Sequence, residues 1–188
     1  MLETGNMTIR TLASREIYRN RWMTLREDEI ERDNGSRGIY SVVDKSDGAI
    51  IIALQADSIF LVEQFRYTIL ERCLEMPQGA WEGEIATPED LARGELREET
   101  GLTASNMTQL GTIQIGYGFT NQRQHVFLAE GLVPGDQDRD HEEHDLTVTS
   151  LPVTQFEQLI LDGTIRDAST LAAWALYKLW REKHPAAK

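Results

Sequence analysis

The sequence predicts an α/β fold, a mixed β-sheet layered between helices and preceded by an N-terminal β-hairpin arm. Three observations carry that expectation. Residues 49–54 and 58–65 are apolar, β-branched runs of strand length, as buried core strands require. The stretch from Thr87 to Leu102 carries a full set of helix start and stop signals. Two further helical patterns, at 153–162 and 168–183, follow the last strand pattern. Strands mixed with helices in this order suit an α/β/α sandwich.

Residues 1–15 read as loosely held. From Arg21 to Glu31 apolar and polar residues alternate for much of the length, the mark of a half-exposed strand. Asp33-Asn34-Gly35 is a turn and residues 37–43 a second strand, so 16–46 reads as a hairpin. The chain thus divides into an arm, 1–46, and a larger domain, 47–188. Asp47-Gly48 turns into the first core strand, and Gln55-Ala56-Asp57 joins it to the second. Residues 74–84 form a Pro/Gly-punctuated loop feeding the helix. Strands are expected near 107–117 and 124–131, with His125 inside the latter and without a catalytic role. Residues 133–144 are a charged, turn-rich loop, 146–151 a strand, and 153–162 a helix stopped by Gly163. In the last helix Leu171, Trp174, Ala175, Leu176 and Leu179 are expected to face the core.

The central helix is the most informative segment. Thr87 suits the N-cap, Pro88 the first helical position, Glu89 and Asp90 the positive end of the dipole, and Gly101 the position past the end. Within it, Glu95, Glu98 and Glu99 share one face, where like charges cost a few tenths of a kcal/mol per pair, roughly. Such a face is either a solvated acidic surface or a set of hard oxygen ligands for a divalent cation.

Composition narrows the partners. With 188 residues the chain is long enough for one well-buried domain. A formal net charge of −12 argues against sequence-independent nucleic-acid binding or an anionic membrane surface. Cys73 stands alone, so no internal disulfide forms and a reducing cytoplasm is the expected setting. No apolar run reaches the ~18 residues of a bilayer span, and no signal-peptide core is expected at the N-terminus.

Glu95-Leu96-Arg97-Glu98-Glu99-Thr100-Gly101-Leu102 resembles the second half of the Nudix box, in which Arg-Glu-apolar-x-Glu-Glu-x-Gly-apolar closes the motif. The first half departs from it: the family's Arg falls on Gly94, its first Glu on Ala86 and its Gly on Ala80. Gly79 and Glu84 would fill the Gly and Glu roles in a re-spaced loop, and Arg93 or Arg97 would replace the Arg. Arg21-Trp22, Asp33-Asn34-Gly35, Val42-Val43, Gln64-Phe65-Arg66-Tyr67, Glu75-Met76-Pro77-Gln78-Gly79 and Ser150-Leu151-Pro152 are similar to the ADP-ribose and nucleotide-sugar pyrophosphatase branch.

The resemblance implies a Nudix α/β/α sandwich and a Mg²⁺-dependent (or Mn²⁺-dependent) pyrophosphohydrolase. It would cleave ADP-ribose or a related nucleoside diphosphate sugar to a nucleoside monophosphate and a sugar phosphate. Alternatives are a dinucleoside polyphosphate or coenzyme pyrophosphatase, or a non-catalytic nucleotide-sugar sensor. Glu95, Glu99 and Glu98 would hold the metal, with a loop carbonyl near Gln78 completing the shell. Glu143 or Glu142, on the late loop beside His144, would act as base. Arg66 would contact the diphosphate or ribose, and Trp22 and Tyr40 the base. The resemblance also implies a homodimer through the arm.

Overall fold

The computed structural model describes residues 9–80, 87–135 and 145–185. It divides into two compact units, residues 1–46 with 116–122, and residues 47–115 with 123–188. The first unit is a three-stranded antiparallel sheet of β1 (Ile9–Arg19), β2 (Thr24–Arg32) and β3 (Arg37–Asp44) in chain order. The hairpin expected from the sequence is β2 and β3, turned at Gly35 with φ 77°.

Strand β1 corrects the expectation that residues up to 15 are loosely held. Every residue of β1 is exposed, so there is no buried face for a periodicity to reveal. It is tied to β2 by cross-strand ion pairs instead, Arg10 with Glu31 and Arg15 Nη2 with Glu27 Oε1 at 2.8 Å. The segment 116–122 joins this unit through the Val43 amide, which donates to Phe119 O at 2.8 Å.

The second unit is built on a seven-stranded mixed sheet, with main order β10-β5-β4-β9-β8. Its strands are β4 (Gly48–Gln55), β5 (Ser58–Arg66), β6 (Glu71–Glu75), β7 (Gln78–Gly79), β8 (Leu102–Gln114), β9 (Arg123–Pro134) and β10 (Thr147–Pro152). Only β4 and β9 run parallel; the other pairs are antiparallel. Among the described residues three helices complete it: α1 (Pro88–Thr100), α2 (Val153–Leu161) and α3 (Ala168–Lys183).

Side chains alternate across the strands, and both faces are covered. Ile50, Ile52 and Leu54 of β4 join Val126 and Leu128 of β9, Phe156 of α2 and Trp174 of α3 in one cluster. Ala49, Ile51 and Ala53 point the other way, to Phe127, Ala129 and the α1 residues Leu91, Ala92 and Leu96. That is why β4 reads as an unbroken apolar run rather than an alternating one. Ile50, Ile51 and Ile52 are each 0% exposed, and full burial of one such side chain contributes about 1.5–3 kcal/mol.

In α3 the inward stripe is Thr170, Ala173, Trp174 and the partly buried Tyr177. Ala175 and Leu179, expected in the core, are exposed; Leu179 is 59% exposed. The stripe follows the i, i+3, i+4, i+7 geometry set at Thr170, and those two residues fall off it. No helix of the described residues is long and apolar enough to cross a membrane.

One irregularity positions the site. Strands β4 and β5 pair over only three positions, Ala53–Gln55 against Ser58–Phe60. Beyond them β5 takes β6 as its neighbour and β4 takes β7, and the Ile51 amide donates to Pro77 O at 2.9 Å. The segment 71–79, which the sequence presents as loop from Leu74 onward, is thereby threaded into the sheet beside α1.

Candidate active site

Helix α1 begins and ends as its sequence predicts. The Thr87 hydroxyl accepts from the Asp90 amide at 3.1 Å and donates to the Asp90 carboxylate at 2.6 Å, and Gly101 closes the helix with φ 69°. Its buried stripe starts apolar, with Leu91, Ala92 and Leu96, and then becomes acidic. Glu95 is 5% exposed and Glu99 1%. Carboxylates at core depth need a compensating partner or a cation, which makes this face costly as mere surface. Glu98 is half-buried on its flank.

The β7 strand lies directly against this face. The Gln78 amide donates to Glu99 Oε2 at 2.8 Å. At Gly79 a β-carbon would stand 2.6 Å from Glu95 Cδ and Oε1, so only glycine lets the backbone approach the carboxylate this closely. Gly79 is therefore the glycine that cradles the acidic helix. Ala80, where the unshifted family spacing puts it, is not in that position.

Arg66, at the end of β5, is held by Glu75 of β6 in a bidentate pair, Nε to Oε1 at 2.8 Å and Nη2 to Oε2 at 2.7 Å. Glu75 is 2% exposed; burial pushes its carboxyl above the usual range, while Arg66 and Gln78 act in the opposite direction. The Gln78 side chain donates to Glu75 Oε2 at 2.9 Å and to Asp167 Oδ2 at 3.1 Å. Asp167 in turn caps α3 by accepting from the Thr170 amide at 2.8 Å, and the Thr170 hydroxyl accepts from the Met76 amide at 3.0 Å. A cavity of about 250 Å³ opens on this network, lined by Arg66, Arg72, Glu75, Thr164, Arg166 and Asp167 among others. Cys73 also lines it, and burial followed by Glu75 and Glu71 pushes its thiol up, which disfavours the thiolate.

The structure thus joins Gln78 to Glu99 directly and to Arg66 through Glu75. The Arg93 guanidinium does not face the acidic stripe; it pairs with Glu89 at 2.8 Å and donates to Ala104 O at 2.8 Å. Arg97 is exposed. Trp22 and Tyr40 belong to the first unit. Trp22 is 50% exposed with the Arg21 guanidinium 4.2 Å from its ring centroid, and the Tyr40 hydroxyl donates to Gly118 O at 3.0 Å. Glu142, Glu143 and His144 lie outside the described residues, as do Glu84 and Ala86. Glu75, Asp167 and Gln124 enter the network without having been singled out in the sequence. Glu75 appears only within the family-like segment Glu75-Met76-Pro77-Gln78-Gly79, Gln124 as a polar residue early in β9, and Asp167 at the start of α3.

Comparison with known proteins fits this geometry. The NUDIX domain model matches residues 44–174. The chain belongs to the Nudix family. Residues 9–43 match a second model, the nucleoside diphosphate sugar hydrolase N-terminal domain. The Nudix chain is 31% identical to the ADP-ribose pyrophosphatase of Bacillus subtilis, over 87% of this chain and 89% of that protein. It is 30% identical to the ADP-ribose pyrophosphatase of Mycobacterium tuberculosis, over 86% of this chain and 79% of that one. The crystal structure of an ADP compounds hydrolase shares the fold, with a TM-score of 0.82 at 19% identity over 96% of this chain and 97% of the other.

Nudix hydrolases generally need a divalent metal, and the donors here fit one. Glu95 and Glu99 are buried carboxylates one turn apart, with hard oxygens, against a backbone kept close by Gly79. Among the described residues no three His, Cys, Asp or Glu side chains form a complete cage.

Proposed function

We propose that this protein is a Mg²⁺-dependent pyrophosphohydrolase that cleaves ADP-ribose or a related nucleoside diphosphate sugar to a nucleoside monophosphate and a sugar phosphate. The observation that carries the reading is the apposition of two buried carboxylates, Glu95 and Glu99, to a loop whose other side anchors Arg66. The names of the relatives support the substrate class. When bound, the cation neutralises diphosphate charge and lowers the pKa of a bound water. Glu95 and Glu99, with Glu98 beside them, would hold it, together with a carbonyl of the Gln78–Gly79 strand. Arg66, clamped on one edge by Glu75, would place its remaining N–H groups on a phosphoryl oxygen. Glu143 or Glu142, with Glu98 as a third candidate, would take the proton from the attacking water.

Trp22 and Tyr40 would stack on the base across a homodimer, since the three-stranded arm exposes Ile17, Trp22 and Ile39 and has little core of its own. The lone cysteine suits a reducing, cytoplasmic setting. Assay of ADP-ribose, GDP-mannose, UDP-glucose and diadenosine polyphosphates with Mg²⁺ tests the activity. Cleavage of the sugar diphosphates well above the polyphosphates is expected, and the reverse order would refute the proposed substrate class. A light-scattering mass of two chains is expected, and a concentration-independent monomer would refute the dimer.

A further inference from the structure

Half-buried Gln78 and buried Gln124 form an amide pair whose side chains the chemistry above leaves unused. Gln124 stands on β9 opposite Gly48 and is 8% exposed. Its Nε2 donates to Gln78 Oε1 at 2.8 Å. Among the described residues, its own buried Oε1 has no hydrogen-bond partner. Unpaired buried acceptors are rare and costly, so this one calls for a reason.

The hydrogen-bond directions supply it. Gln78 Nε2 faces two carboxylate acceptors, Glu75 and Asp167. Its amide therefore has one orientation, NH₂ toward the acids and oxygen toward β9. Gln124 must then offer an N–H, since turning it over would set oxygen against oxygen. The orphan oxygen on Gln124 is the consequence of holding Gln78 in that orientation.

Gln78 in turn touches both halves of the site. Its main-chain N–H meets Glu99 Oε2, while its side chain meets Glu75, whose two oxygens hold Arg66 by Nε and Nη2. Arg66 Nη1 is the edge of the fork that Glu75 does not take, and Arg66 lines the cavity. We propose that Gln78, locked by Gln124, is the positioning residue that sets the Arg66 guanidinium against the Glu95 and Glu99 carboxylates, so that Nη1 meets a phosphoryl group of the substrate. The proposal rests on the nucleoside diphosphate sugar reading. Glu75 and Gln78 act here through Arg66 and do not themselves touch the reacting atoms.

The test is a double-mutant cycle with Arg66→Ala. Gln124→Met removes the donor at nearly constant volume, and Gln124→Glu puts an acceptor against Gln78 Oε1 and turns it over. ADP-ribose hydrolysis at saturating Mg²⁺, calorimetric affinity for α,β-methylene ADP-ribose and thermal midpoints are measured on both backgrounds. Loss of one well-made hydrogen bond corresponds to about 10-fold, so Q124M should lower kcat/KM ~10-fold and Q124E more, mainly through KM and analogue affinity. On the Arg66→Ala background each should cost less than about 2-fold, because the effect has lost its target. The thermal midpoint should fall equally on both backgrounds.

Equal fold-losses with and without Arg66 would overturn the proposal and leave the pair as core packing. Wild-type kcat/KM in both variants would overturn it as well. Should Q124E not fold, Q124M alone carries the cycle. A wild-type protein that neither cleaves ADP-ribose nor binds the analogue would defeat the substrate reading and this proposal together. Wild-type cleavage with additive variants would defeat only the positioning role.

Discussion

Gly79→Ala would probe the metal face without altering any carboxylate. Gly79 is not among the glycines with positive φ, so alanine fits its backbone. The added methyl would overlap Glu95 Oε2 most closely and stand 2.6 Å from Cδ and Oε1, where ordinary contact begins at 3.4 Å, so the carboxylate must retreat by about 1 Å. The clashing atoms are the end of a side chain rather than backbone, so the fold absorbs the change by moving Glu95. Alanine also narrows the unfolded ensemble, worth about 0.4–1 kcal/mol in favour of folding. At ~2–4 °C per kcal/mol for a chain of this size, the thermal midpoint should stay within a few degrees of wild type. Activity should not. A misplacement near 1 Å of a group that orients the reaction costs ~10²-fold. Turnover of ADP-ribose across a Mg²⁺ titration, beside a calorimetric melt, separates the two effects. Turnover within threefold of wild type at every Mg²⁺ concentration would show that the place of Glu95 against β7 does not matter to catalysis.

Glu99→Gln should cut turnover ~100-fold or more with the fold retained, because it removes a ligand charge from the cation that would neutralise the diphosphate; unchanged turnover at saturating Mg²⁺ would remove Glu99 from the metal face. Of Glu142 and Glu143, one should be far more sensitive to Gln than the other, by ~10²–10⁴ in rate, since a base must reach one proton in one geometry. Tolerance of both, with His144→Ala inactive, would move the role to His144. Acid should loosen the tie between α2 and α3. The Lys178 ammonium, 2.9 Å away, is the first cause that holds the Glu157 carboxyl below its ordinary value, with the Trp174 indole adding to it. A lowered folded-state pKa contributes stability above the unfolded value, near 4 by typical reference values, and loses it as pH falls through the folded one. The pair is partly exposed, so the loss should be below about 1 kcal/mol. Comparing melts of wild type and Glu157→Gln between pH 6 and 3 measures it, and a difference that does not shrink in acid would refute it.

Local signals made much of this protein legible in its sequence. The caps of α1, the start and end of α3 and the two core strands follow from side-chain types at neighbouring positions, so they were readable without the fold. The acidic stripe of α1 was readable too, because i to i+4 spacing alone puts Glu95 and Glu99 on one face. Strand β1 was not, since its pairing with β2 rests on ion pairs between residues 12 to 21 positions apart and buries no periodic face. The site network was hidden for the same reason. Gln78, Gln124 and Asp167 are separated by tens of residues, and nothing local marks a glutamine as a bridge. Only the divergence of β4 from β5, which admits the segment 71–79 beside α1, brings Gly79 against Glu95 and Gln78 against Glu99. The sequence by itself determined which residues carry charge on a common helix face. Tertiary structure decided how deep those charges lie and what orients them, because burial and hydrogen-bond direction depend on chain segments that meet only in the folded sheet.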